Sequence, residues 1–221
     1  MSWQLASLLV LALALGGGFA WYERSRPPAE MLAVVATLAG LAAVGRIAFA
    51  PVPSIKPTTD IVLLSGFALG GAPGFAVGAV GALTSNMFFG QGPWTPWQML
   101  GWGLVGLGGA ALGRVTRRRA PRWALAIACG FAGFAFLTFI DASTWIMYSG
   151  AERSWAQFVA LKTTAAPFDV AQVVGNVVFA LAFGPGFVRA LLRFRTRLEV
   201  RWSEPPPAPA AVVAPVPSVT R

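Results

Sequence analysis

The sequence predicts an all-α integral membrane protein with about seven hydrophobic spans, and three features of the chain predict it. Only 11% of the 221 residues are charged and 56% are hydrophobic, whereas a soluble domain carries about 25% charged residues. Mean hydropathy is +0.65. Apolar runs near the length needed to cross ~30 Å of hydrocarbon recur along the chain. Arginines, finally, are concentrated in alternate connections between those runs.

The first run, Leu5 to Trp21, has no Lys or Arg before it and no small-x-small cleavage site after it, so it reads as a retained helix. Tyr22 to Glu30 is a charged linker with Arg24, Arg26, Pro27 and Pro28. A second span covers Met31 to Phe49, and the prolines of Ala50 to Thr59 forbid its continuation. Asp60 to Gly70 is a short apolar helix, Gly71-Ala-Pro73 a tight turn, and Gly74 to Phe89 the next helix. After the irregular Phe88 to Gln98 stretch, Gln98 to Leu112 and Trp123 to Tyr148 are spans on either side of an arginine-rich connection. A polar loop from Ser149 to Thr164 precedes the last helix, Phe168 to Leu192, and the Pro/Ala-rich tail at 198–221 is expected to be disordered. A helix of fifteen residues reaches only ~22 Å. Irregular backbone at membrane depth must line a protein-enclosed cavity, so the loops between short spans already suggest a binding site.

With alternating spans, Arg24, Arg26, Arg114, Arg117, Arg118, Arg119, Arg122, Arg189, Arg193, Arg195, Arg197, Arg201 and Arg221 share one side. Arg46, Lys56, Arg153 and Lys162 fall on the other. The positive-inside rule makes the first side cytoplasmic, with the N-terminus outside and the C-terminus inside. This placement accounts for the net charge of +9 without a nucleic-acid partner.

Composition narrows the chemistry. There are no histidines, which removes His-dependent acid–base chemistry, HExxH zinc sites and histidine haem ligation. No metal centre is expected. Cys129 is the single cysteine and lies in an apolar run. No Walker sequence GxxxxGK[ST] occurs, so the chain itself is not an ATPase.

Polar residues gather at the outer ends of the spans. Lys56 and Asp60 flank the third span, Asn86 ends the fourth, and Gln91, Trp94, Trp97 and Gln98 follow it. Asp141, Trp145 and Tyr148 approach the outer end of the sixth span, while Lys162, Asp169, Gln172 and Asn176 enter the last. Intramembrane carboxylates are expensive and mark functional sites, although Asp141 and Asp169 could equally pair with Arg46, Lys56 or Lys162. The tryptophans read either as an interfacial belt or as a stiff aromatic, amide-rich loop suited to a flat polar ligand. Gly66, Gly70, Gly74, Gly78 and Ala82, then Gly109 and Gly113, repeat the small-xxx-small spacing of close helix packing. Ala33, Ala36, Ala39, Ala42 and Ala43 smooth one face of the second span, either for internal packing or for a partner helix.

Several of these motifs together resemble the substrate-binding (S) component of energy-coupling factor (ECF) vitamin transporters. They are the Ala-rich second span, Gly45-Arg46, Pro51 to Thr59 with Lys56-Pro-Thr-Thr, the glycine-patterned helix ending Ser85-Asn86, and Phe88 to Met99 with its Gly-Pro-Trp-Thr-Pro-Trp run. The resemblance covers Met31 to about Arg197. It implies a six-helix S-component core at 31–197, with an extra N-terminal transmembrane helix at 1–22, a cytoplasmic linker at 23–30 and the tail at 198–221. It also implies a binding subunit, not an enzyme, in the bacterial cytoplasmic membrane. That subunit would capture a vitamin outside and work with a transmembrane coupling protein and a pair of cytoplasmic ATPases. Its own cofactors would be none, with ATP used by the partners. Ala39, Ala42 and Ala43 would mark the coupling face. Lys56, Asn86, Gln91, Trp94, Trp97, Gln98, Asp141, Trp145, Tyr148 and Asp169 would supply the candidate substrate-binding set. The Gly-Pro-Trp-Thr-Pro-Trp run looks most like the cobalamin-associated branch, with queuosine precursors, riboflavin or another vitamin as alternatives. Two other readings of the chain are an intramembrane enzyme using Asp141 and Asp169 as paired carboxylates, and a stand-alone secondary carrier.

Overall fold

The computed structural model describes residues 3–149 and 154–198, and the described residues form seven helices and no strands. The helices are α1 (Trp3–Arg24), α2 (Ala29–Ala48), α3 (Thr58–Leu69), α4 (Gly71–Phe89), α5 (Thr95–Val115), α6 (Arg122–Tyr148) and α7 (Trp155–Leu198). Four segments, Ala29–Ala48, Gly71–Phe89, Arg122–Tyr148 and Trp155–Arg197, are long and apolar enough to cross a membrane. Thr58–Leu69 is apolar but shorter. The architecture is compatible with a multi-pass membrane protein, and large side chains such as Leu13, Ile127, Phe131 and Phe183 stand exposed on its flanks.

Most boundaries fall within a turn of those read from the sequence, but two differ for reasons that matter. The turn expected at Gly71-Ala-Pro73 is a single residue, Gly70, at φ 110° and ψ −178°. Only glycine adopts that conformation without strain, so the chain reverses there and Pro73 is absorbed into the first turn of α4. A proline in a first turn sacrifices no intrahelical hydrogen bond. The polar loop expected over Ser149 to Thr164 is mostly helix: α7 begins at Trp155 and spans 44 residues, passing through Pro167 and Pro185. Each internal proline removes one backbone bond, yet the long antiparallel packing of α6 against α7 holds the helix together. Residues 150–153 and the tail from 199 lie outside the described residues.

The centre of the molecule is a glycine seam. A side chain on Gly66 of α3 would collide with the Gly106 carbonyl of α5, and one on Gly74 of α4 would lie 2.6 Å from the Gly66 Cα. Side chains on Gly109 and Gly113 would strike the Leu63 and Phe67 carbonyls of α3. Three helices therefore touch backbone to backbone, as small residues permit in lipid. α2 packs on α4 with Ala39, Ala42 and Ala43 turned inward, all at 2% exposure or less. This corrects the expectation of a coupling face at those three alanines: α4 already covers them. The outward face of α2 carries Ala33, Ala36 and Gly40 instead. α1 lies at the edge against α4 and α5, with Phe19 edge-on to Phe75 at 5.9 Å between centroids.

The arginine-bearing ends converge. Arg118 Nε and Arg195 NH1 both donate to the Ala68 carbonyl, at 3.2 and 3.3 Å, and so satisfy a backbone acceptor left over at the end of α3. The helices alternate in direction, which places Arg46, Thr58, Gln98 and the α2–α3 connection at the opposite end.

Candidate functional site

At that opposite end the sequence brings five helices, α2, α3, α5, α6 and α7, to one polar cavity. α2 ends in Arg46, and α3 starts with Thr58 and Thr59. α5 presents Gln98 and, one turn on, Trp102, while α7 presents Gln172. The α2–α3 connection closes the side with Ser54 and Lys56. It is pinned to α7 by Phe49 edge-on to Phe179 at 5.1 Å and by Ile55 seated over Gly175. The cavity is half-open, with a volume of ≈ 160 Å³, and its aromatic wall is Trp102 and Phe136, stacked at 4.3 Å and 16°.

Arg46 is the organising residue. Its NH1 donates to Ser85 Oγ at 2.7 Å and Asn86 Oδ1 at 2.6 Å, and its guanidinium lies 4.7 Å from the Phe89 ring and 5.0 Å from the Trp102 ring. All of these partners are neutral. Asn86, fully buried, passes the network on by donating to Gln98 Oε1 at 2.7 Å and Thr95 Oγ1 at 3.1 Å. Thr95 in turn donates to Gln91 Oε1 at 2.9 Å, which ties down the Gly-Pro-Trp-Thr-Pro-Trp loop. On the far wall Trp102 Nε1 donates to Thr59 Oγ1 at 3.2 Å, and Gln172 reaches the same hydroxyl at 3.5 Å. Lys56 has neither hydrogen bond nor ion pair among the described residues. Burial, and then the positive charge of Arg46, push its ammonium below the usual lysine range. Asp60, next to Thr59, does not neutralise either cation. Its carboxyl group is buried at 3% exposure beside the Cys129 thiol. The cavity thus faces two cations with no carboxylate between them.

Residues expected at the site divide into three groups. Lys56 and Gln98 line the cavity. Asn86 and Gln91 stand behind it and hold Arg46 and the loop. The rest lie elsewhere. Trp94 is 41% exposed, and Trp97 leans on Phe139 at 5.8 Å with its indole N–H unpartnered. Trp145 stacks on Trp155 at 5.7 Å in an aromatic cluster completed by Phe158, and Tyr148 is exposed. Asp141 and Asp169 meet through Lys162, whose Nζ lies 2.9 and 2.5 Å from one oxygen of each. That triad joins α6 to α7 as a helix clamp and lies outside the polar cavity. Arg46, Ser54, Thr58, Thr59, Trp102, Phe136, Leu137, Ile140 and Gln172 are the lining residues absent from the expected set. Their signal in the sequence was the buried-level cation in Gly45-Arg46 and the polar positions interrupting apolar helices.

The clamp makes a prediction. Replacing Lys162 with Met leaves two carboxylates facing each other without a cation. Removing one partner of a buried pair costs about 3–5 kcal/mol, and the partial exposure of this triad lowers the expected loss to about 2 kcal/mol. Asp141→Asn, which preserves the Lys162–Asp169 pair, should change the melting temperature far less. Equal melting temperatures for wild type and Lys162→Met would remove the clamp role.

No protein-family model matches the chain, and no curated protein or solved structure matches it significantly.

Proposed function

We propose that the chain is the substrate-binding membrane subunit of an importer, of the kind the ECF S-component resemblance implies, and that its cargo is a small organic anion. The observation that carries this reading is the pair of cations, Arg46 and Lys56, facing a half-open polar cavity with no acidic ion-pair partner among the described residues. Desolvated cations without a counter-ion are held at a cost that an anionic ligand relieves. Gln98, Gln172, Thr58 and Thr59 offer donors and acceptors for a polar scaffold, and Trp102 offers a ring face. The cavity is ≈ 160 Å³, below the ~300–1,000 Å³ of drug-sized ligand sites. That volume favours cargo smaller than the corrinoid suggested by the loop motif. In this reading the arginine-bearing end is cytoplasmic, the N-terminus is outside, and cargo enters from the outer face of a bacterial cytoplasmic membrane. Six helices from α2 onward form the S-component core, with α1 as the additional span. The outward small face of α2 at Ala33, Ala36 and Gly40 replaces Ala39, Ala42 and Ala43 as the contact for a transmembrane coupling protein, itself driven by a pair of ATPases.

Calorimetry of the detergent-purified chain against small vitamin carboxylates and phosphates, with uncharged vitamins and corrinoids alongside, tests this. Binding of a small anion that weakens as salt is raised is the expected result. Binding of a corrinoid or an uncharged compound instead would overturn the cargo class. No binding by a folded sample would overturn the capture role.

A further inference from the structure

A second cavity, larger than the polar one, lies elsewhere in the molecule. An apolar groove of ≈ 470 Å³ runs between α5 and α6, walled by Leu104, Gly108 and Leu112 on one side and Phe131, Ala135 and Phe139 on the other. It exists because α6 packs mainly on α7 and α5 mainly on α3 and α4, which leaves the α5–α6 seam open toward lipid. Gly108 widens the slot, since a Cβ there would meet no atom within 4 Å.

Length and charge identify the occupant. The groove follows α5 from Gly101 to Leu112, about 16 Å at ~1.5 Å per residue, close to half of the ~30 Å hydrocarbon core. It therefore matches the depth of one leaflet. At its lower end the α5–α6 connection presents exposed Arg114, Arg117, Arg119 and Arg122. None of these four arginines forms an ion pair with another described residue. Arg122 lies 5.4 Å from the ring of Trp123, itself 61% exposed, an aromatic–cationic pair of the kind found at headgroup level.

We propose that the α5–α6 groove binds one acyl chain of an anionic phospholipid whose phosphate is held by the Arg114–Arg122 connection. The chain fills apolar surface that no protein side chain covers, and the arginines supply the preference for negative charge. The groove shares only Phe136 with the polar cavity and none of its polar residues, so the proposal stands whether or not the cargo reading holds.

The test uses the delipidated full chain, titrated with phosphatidylglycerol or phosphatidylcholine of identical acyl chains and read by native mass spectrometry. The wild type should retain one phosphatidylglycerol with roughly tenfold preference over phosphatidylcholine. Gly108→Leu fills the slot from α5 and should lose that retained lipid while melting no lower than wild type without lipid. Ala135→Leu, on the facing wall, serves the same purpose if the first variant misfolds. Arg117→Gln with Arg119→Gln should keep a bound lipid but erase the preference. Equal retention of both lipids by the wild type overturns the proposal, as does undiminished phosphatidylglycerol binding by a folded groove-filled variant. A dimer in the same spectra that vanishes with Gly108→Leu would identify a second copy as the occupant and also overturn it.

Discussion

Arg46→Gln should weaken binding of the small organic anion by about 100-fold, equivalent to about 3 kcal/mol, the range for truncating one side of a desolvated charge pair. The substitution keeps a donor that Ser85 or Asn86 can accept, so the loss reports charge and not a collapsed network. Arg46→Lys should recover only part of the affinity. An ammonium can reach Ser85 and Asn86 from one nitrogen, as NH1 does, but lacks the delocalised guanidinium that lies over the Phe89 and Trp102 rings. Trp94→Ala should leave affinity unchanged, because that ring is exposed and outside the cavity. Lys56 adds a pH signature. Its ammonium already sits below the usual range, so it loses its charge earlier on the alkaline side than a free lysine would. Anion affinity should therefore fall as pH rises through that point, and Lys56→Gln should flatten the profile. Calorimetry at several pH values, with ligand-free melting temperatures as a folding control, reads all four variants. An Arg46→Gln protein that binds the anion as wild type does would remove the central residue of the proposed site.

Gly106→Val should prevent folding or destabilise the chain by more than about 4 kcal/mol, in the range seen only for severe core disruption. A Cβ at Gly106 would run into the Gly74 carbonyl and lie 2.9 Å from the Phe75 amide nitrogen, and backbone atoms cannot move aside as a flexible side chain can. Relief requires α4 and α5 to separate, which also unseats Gly66 and Gly74 from the same crossing. Ordinary overpacking costs about 1–3 kcal/mol because side chains adjust; here none is available to adjust. The internal comparison is Gly40→Ala on α2. It meets no atom within 4 Å and should be neutral or slightly stabilising, since alanine is favoured over glycine in a helix by about 1 kcal/mol. Thermal unfolding monitored by size-exclusion chromatography separates the two. A Gly106→Val protein melting within a few degrees of wild type would mean the three helices are not interlocked at that point.

How far the sequence carried the site depends on the kind of signal each residue gave. Asn86, Gln91 and Gln98 could be read ahead because polar side chains at the ends of apolar spans need partners, and the structure supplies those partners within one connected network, whereas Lys56, read ahead for the same reason, lines the cavity outside that network. Arg46 was visible as one of few cations on the sparsely charged side, yet read as a topology marker. Its role emerges only from the neutral partners around it. Trp102 and Phe136 looked like ordinary apolar positions in long helices. Their stacking depends on α5 and α6 meeting at one height, which no local pattern encodes.

By itself the sequence determined the all-helical class, the alternation of helices and the gathering of arginines at one end, because hydrophobicity and charge act residue by residue against water and hydrocarbon. It also determined that small residues would bring helices close. Only the tertiary structure decided which small residues are buried: Ala39, Ala42 and Ala43 face α4, while Gly40 and Gly108 face outward, since a spacing of four defines a helix face but not what lies against it. The same limit governed the acids. Asp141 and Asp169 were legible as costly groups needing a cation, but their cation is Lys162, on helix where a polar loop was expected. Long-range packing of α6 on α7 outweighed the helix-breaking tendency of Pro167, and that balance is set by contacts between segments far apart in the chain.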